Sequence, residues 1–101
     1  MNAKDDGRTY NGWANYETWL IRLWLDNEEG SHRYWTEQAG RIAWKGEAAI
    51  FELARLLEEE IKEAAPDLGC TLYADFLNAA FSEVDWYEVA ASYLDDVRDD
   101  D

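Results

Sequence analysis

Cysteine, histidine and proline occur once each in these 101 residues, and each scarcity removes a class of chemistry. With Cys70 alone, no internal disulfide can form and no thiolate cluster can hold zinc. His32, the one imidazole, lies far from Cys70 in sequence. Neither sits in a recognised nucleophile signature, so a thiol and imidazole pair is not expected. Cys70 reads instead as a small residue at a helix entry. The calcium-loop pattern of alternating oxygen ligands, glycine and a terminal glutamate is absent as well. Neighbouring carboxylates on a helix point apart, so they form no acid and base pair unless a cleft gathers them. The expectation is a protein that is not an enzyme, with no catalytic residue, cofactor or metal.

Positive charge is the next shortage. Nine lysines and arginines face 23 aspartates and glutamates, for a net charge of -14. Coulomb repulsion then opposes direct binding to DNA, RNA or an anionic membrane, and a partner protein is expected to be basic or nucleic-acid-binding. Long apolar runs are missing too. Nothing approaches the roughly 18 apolar residues of a membrane span, and the opening MNAKDDGRTYNG has no apolar stretch after its charges. A soluble, cytoplasmic chain is expected.

What the sequence does have is aromatic and helical. Hydrophobic residues make up 48% and aromatic residues 15%, with six tryptophans, a profile unlike that of a disordered chain. No segment alternates long enough to read as a strand, whereas several repeat apolar residues every three or four positions. The spacing predicts an all-α fold, a compact bundle of about five short helices. Asn15 caps a first helix that runs to Asn27, with Tyr16, Trp19, Leu20, Leu23 and Trp24 as its stripe and Ile21 and Leu25 beside it, the look of a central helix. Trp19 and Trp24 are therefore expected in the core. Ser31 caps a second helix to about Trp44, with Trp35, Ala39 and Ile42 facing inward. A third, from about Glu47 to Ala65, carries Ile50, Leu53, Ala54, Leu57 and Ile61, and is closed by Pro66 and Gly69. Thr71 caps a fourth with Tyr73, Phe76, Leu77, Ala80, Phe81 and Val84 on its stripe. Asp85 and Glu88 resemble a capping box for a fifth, whose stripe is Trp86, Val89, Ala90, Tyr93, Leu94 and Val97. Residues 1–12 are expected to be a mobile segment, 13–98 one helical domain, and 99–101 an acidic tail.

Core packing is expected to account for most of the aromatic residues, because a base-stacking platform needs a positive groove that nine scattered bases do not supply. Trp13 falls outside the periodic stripe and is the tryptophan expected to be exposed, as an anchor for a partner. The acids are expected to be a solvated face, and two causes compete for their number. Carboxylates along helices can imitate the phosphates of DNA and occupy a basic groove. Alternatively, acidity reflects a saline cytoplasm, which screens repulsion within a few ångströms. The partner-binding candidates are Trp13, then Glu58, Glu59, Glu60 and Glu63 on the third helix, then Asp95, Asp96, Asp99, Asp100 and Asp101 at the end. Self-association as a homodimer is also open.

The stretch YNGWANYETWLIRLWLDNEEG, followed far downstream by LYADFLNAAFSEVDWYEVAASYLDD, resembles a family of small proteins carried by phages, plasmids and other mobile elements, which share an Asn-Tyr-Glu-Thr-Trp core. The resemblance runs from Tyr10 to Asp96. It rests on Trp13, Asn15, Tyr16, Glu17, Thr18, Trp19, Trp24, Asp26 and Asn27, with Asp75, Val84, Asp85 and Trp86 in the second half. It implies an accessory role in a mobile element and no catalytic residue. The resulting expectation is a non-enzymatic acidic protein that binds another protein, as a nucleic-acid mimic directed at a basic host DNA-binding or defence protein. The alternative is a structural or regulatory module whose acidity reflects its host.

Overall fold

The computed structural model describes residues 10–99, all helix and connection apart from one isolated bridge between Tyr10 and Trp13. The helices are α1 (Tyr16–Asn27), α2 (Glu29–Ile42), α3 (Ala48–Ala64), α4 (Leu72–Glu83) and α5 (Trp86–Asp99), with a 3-10 turn over Ala43–Lys45. The all-α bundle expected from the spacing is what forms.

Three of the expected caps are in place. Asn15 Oδ1 accepts from the Thr18 N–H at 2.8 Å, Thr71 Oγ1 from Ala74 at 3.2 Å, and Asp85 Oδ1 from Glu88 at 3.1 Å. Each satisfies an amide that the first helical turn leaves without a partner. Ser31 does not cap α2. Glu28 takes that place, and its longer side chain curls back to accept from the Ser31 N–H at 2.6 Å. The helix therefore starts at Glu29, and Glu28 alone breaks the path between α1 and α2, with φ -106 and ψ 111.

The core is built where α3 and α5 face each other, with α2 closing it. Leu53 and Leu57 of α3 meet Val89, Tyr93 and Leu94 of α5, while Trp35 and Ala39 enter from α2, all buried as their periodicity predicts. The central helix is α5, which packs against α1, α2 and α3, and not α1 as its all-round apolar character suggested.

Two stripes are corrected. In α1 the buried residues are Thr18 and Arg22, whereas Trp24 is 68% exposed, Tyr16 is exposed and Trp19 half-buried. Apolar residues on nearly every side of α1 leave its rotation undetermined by hydrophobicity, and polar pairing with α5 settles it. In α4 no residue is buried: Tyr73 and Phe76 are exposed, and Phe81 is the aromatic of that stripe packed against the core. No helix among the described residues is long and apolar enough to cross a membrane.

Candidate functional site

Asn11 and Gly12 both have positive φ, 49° and 87°, and the chain turns over them so that Tyr10 and Trp13 exchange backbone hydrogen bonds of 2.7 Å in both directions. Left-handed backbone at two successive positions is the geometry that Asn-Gly favours, although the sequence expectation places these residues in a mobile segment. The turn carries Tyr10 back onto α1, with ring centroids 5.1 Å from Tyr16 and 5.0 Å from Trp19. Tyr10 to Gly12 thus leave the expected mobile segment, and residues 1–9 lie outside the described residues. Trp13 is half-buried at the turn, and the most exposed tryptophans are Trp24 and Trp44.

Behind this turn the two motif-bearing segments, around Asn15 to Thr18 and around Asp85 to Glu88, lock together. Asn15 Nδ2 donates to the Glu83 carbonyl at 2.6 Å, while its Oδ1 accepts from both the amide and the hydroxyl of Thr18. Thr18 Oγ1, fully buried, in turn accepts from the Asp85 N–H at 2.8 Å. Glu88, expected to reach back to the Asp85 amide as the second half of a capping box, instead accepts from Ala14 at 2.8 Å. Its role in the box has passed to Thr18. Asn15, Thr18, Asp85 and Glu88 therefore close the start of α1 onto the start of α5, through five hydrogen bonds that also take in the Glu83 carbonyl and the Ala14 amide.

One turn further along, Arg22 makes a second lock. Its Nε donates to Asp26 Oδ1 at 2.9 Å, Nη2 to Asp96 Oδ2 at 3.0 Å and Nη1 to Ser92 Oγ, and its guanidinium lies 3.8 Å from the centroid of the Tyr93 ring. Burial opposes the charge, but the hydrogen bonds that Arg22 donates to Asp26 and Asp96 outweigh it and the Arg22 pKa is raised. Burial pushes the Tyr93 hydroxyl up to about 12. Asp96 is thereby tied to the fold although, like Asp95 beside it, it is exposed. Asp99 ends α5, its side chain is not described, and Asp100 and Asp101 lie outside the described residues.

The α3 glutamates do not form a single array. At about 100° per residue, Glu58 and Glu60 flank the buried stripe on opposite sides, and Glu59 and Glu63 point outward. Glu58 accepts from Lys62 at 2.6 Å, Glu59 from Arg55 at 3.3 Å, and Glu60 from the Tyr34 hydroxyl at 2.9 Å. The bond to Glu60 raises the Tyr34 pKa. Glu63 is exposed.

Between α3 and the start of α5 lies a cleft of about 900 Å³ whose lining includes Glu58, Glu83 and Asp85. Phe51 and Tyr87 also line it, both exposed and in edge contact at 5.3 Å. Asn15 and Ala14 reach its wall, so the lock between α1 and α5 also shapes this opening. Sequence reading missed the pairing of Phe51 with Tyr87 because the two rings are on different helices and share no periodic signal. Among the described residues no group of three or more histidine, cysteine or carboxylate side chains is placed to hold a metal ion. Cys70 is exposed just ahead of the Thr71 cap, not a buried thiol, and His32 Nδ1 lies 3.1 Å from Asp26 Oδ1 at the surface.

The arrangement can present carboxylates beside exposed aromatic rings, and the two locks hold α5, which carries Tyr87, against α1. No curated protein and no solved structure matches the chain. A family model does match, over residues 6–99, and so takes in both halves of the lock between α1 and α5: the chain belongs to DUF7249, a family of unknown function.

Proposed function

We propose that this protein acts without catalysis, as a small acidic accessory protein of a mobile genetic element, by binding a basic protein surface of the kind that contacts nucleic acid. The observation that carries this reading is how the bases are spent. Arg22, Arg33, Lys45, Arg55 and Lys62 each sit on a carboxylate of this same chain, and Arg98 donates to the carbonyls of Ala43 and Gly46. Little positive charge is left to offset the acids, so the outward field is negative and steers basic partners toward the surface. The exposed rings of Trp44, Phe51 and Tyr87 supply what charge alone lacks, an apolar contact that can be desolvated on binding. The partner's nucleic acid and this chain then compete for one basic surface.

The test is capture from host lysate, followed by competition with duplex DNA. A captured protein that is basic, is displaced by DNA, and binds less tightly as salt rises supports the reading, because ion release gives a steep salt dependence. A captured partner whose binding ignores both salt and DNA would overturn it.

A further inference from the structure

A second concavity, of about 1010 Å³, lies where α1, α2, α3 and α4 meet, on the far side of α3 from the cleft described above. Its lining is mainly apolar, with Trp24, Trp35, Ile61, Leu77 and Phe81 contributed by four different helices. The charged groups in that lining are Glu28 and Glu60, and no lysine or arginine is among them. Tyr34 donates to Glu60 and so holds one of these carboxylates at the edge. The α4 wall buries none of its own residues, and Trp24 is 68% exposed at the opposite side. A broad apolar trough edged by carboxylates differs from a small-ligand pocket. It has the form that receives the apolar face of an amphipathic helix.

We infer that this trough is the docking site for a basic amphipathic helix of another protein, its apolar face on Trp24, Ile61 and Leu77 and its cations toward Glu28 and Glu60. The inference rests on the basic partner proposed above and locates where that partner binds. Charge complementarity selects the occupant. A second copy of this chain would bring a net charge of -14 against -14 and set carboxylates against the carboxylates at the edge. The chain's own residues 1–9, MNAKDDGRT, hold Met1 as their single large apolar side chain, too little to fill such a trough.

Three synthetic peptides test it, each roughly 18 residues long so that a helix can form. One is an amphipathic leucine and lysine peptide, one its leucine and glutamate counterpart, and one a lysine and glutamine peptide of the same positive charge. Binding is followed by backbone amide shifts and by titration. The leucine and lysine peptide should bind and move the amides of Trp24, Ile61 and Leu77, and the leucine and glutamate peptide should not. Trp24→Ala should weaken binding about tenfold and Glu60→Gln about threefold, the sizes of an aromatic anchor and of an exposed charge at an interface. Trp24 is exposed, so Trp24→Ala should melt close to the parent, which separates lost docking from lost fold. Equal binding by the lysine and glutamine peptide, or shifts centred on Glu59 and Glu63, would overturn the inference in favour of diffuse attraction. A parent dimer in sedimentation that Trp24→Ala dissociates would assign the trough to a second copy. A partner captured from lysate that is basic and DNA-displaced yet binds Trp24→Ala unchanged would sink the trough and spare the proposed function. If the peptide docks as expected but the captured partner ignores DNA and salt, the reverse holds.

Discussion

Thr18 and Arg22 show how polar residues come to occupy the inward face of an aromatic-rich helix. Thr18 accepts from Asp85 and donates to Asn15, so its buried hydroxyl is partnered both as donor and as acceptor. Thr18→Val keeps the shape but removes both bonds, leaving the Asp85 amide without its acceptor. It should cost about 1–3 kcal/mol, measured by urea unfolding. Arg22→Met should cost about 1–3 kcal/mol as well. That is less than the roughly 3–5 kcal/mol of a fully buried broken pair, because Asp26 and Asp96 both reach water and can be hydrated when left alone.

Tyr93 gives a pH prediction at the same scale. Its folded-state pKa is about 12, above the value near 10 of an unfolded tyrosine, so the folded state holds its proton more tightly. The stability this contributes is fully present below about pH 10 and is lost as the pH rises through about 12. Tyr93→Phe has no proton to lose and should flatten that alkaline decline in thermal melts. An alkaline arm unchanged in Tyr93→Phe would show that burial of this hydroxyl does not set it.

At the scale of the element, α3, α4 and α5 differ in what holds them. Leu53 and Leu57 of α3 and Val89 and Leu94 of α5 are fully buried, while α4 buries nothing and keeps Leu72, Tyr73 and Phe76 in water. Amides of α4 should therefore exchange with solvent well before those of α3 and α5, since local opening follows the apolar contact an element would lose. Mass-resolved hydrogen exchange by segment checks the order. The same contrast separates two large side chains. Leu57→Ala should cost about 2–5 kcal/mol, as cavity-forming changes do, whereas Trp24→Ala should cost about 0.5 kcal/mol or less. This reverses the sequence expectation that Trp24 is a core ring.

At the scale of the whole molecule, the question is whether a net charge of -14 strains the fold. Five of the bases offset neighbouring acids within the chain, and the core between α3 and α5 carries no charge. Helicity by circular dichroism should therefore be the same in dilute buffer and in molar potassium chloride. A marked gain with salt would mean that self-repulsion governs stability, and would favour acidity as an adaptation to a saline host over acidity as a means of binding.

The amphipathic stripes of α2, α3 and α5 were legible because each has one apolar face and one polar face, so a period of 3.6 residues fixes which side turns inward. Trp35, Leu57 and Leu94 are buried for that reason. The caps at Asn15, Thr71 and Asp85 were legible because a cap is a bond within a few residues of chain. Helix α1 inverts the rule. Its apolar residues take most of its circumference, the strip that turns inward is the polar one through Thr18 and Arg22, and its rotation was decided by these two reaching Asp85, Ser92 and Asp96, partners some seventy positions away. The candidate acids were legible as a composition but not as a surface. Which of them pair with a base, which flank the cleft at Phe51 and Tyr87, and which edge the trough at Trp24 depend on how α3 lies between its neighbours. Local bonds and periodicity are written along the chain. The pairing of distant polar groups and the shape of the gaps between helices exist only once the helices have packed.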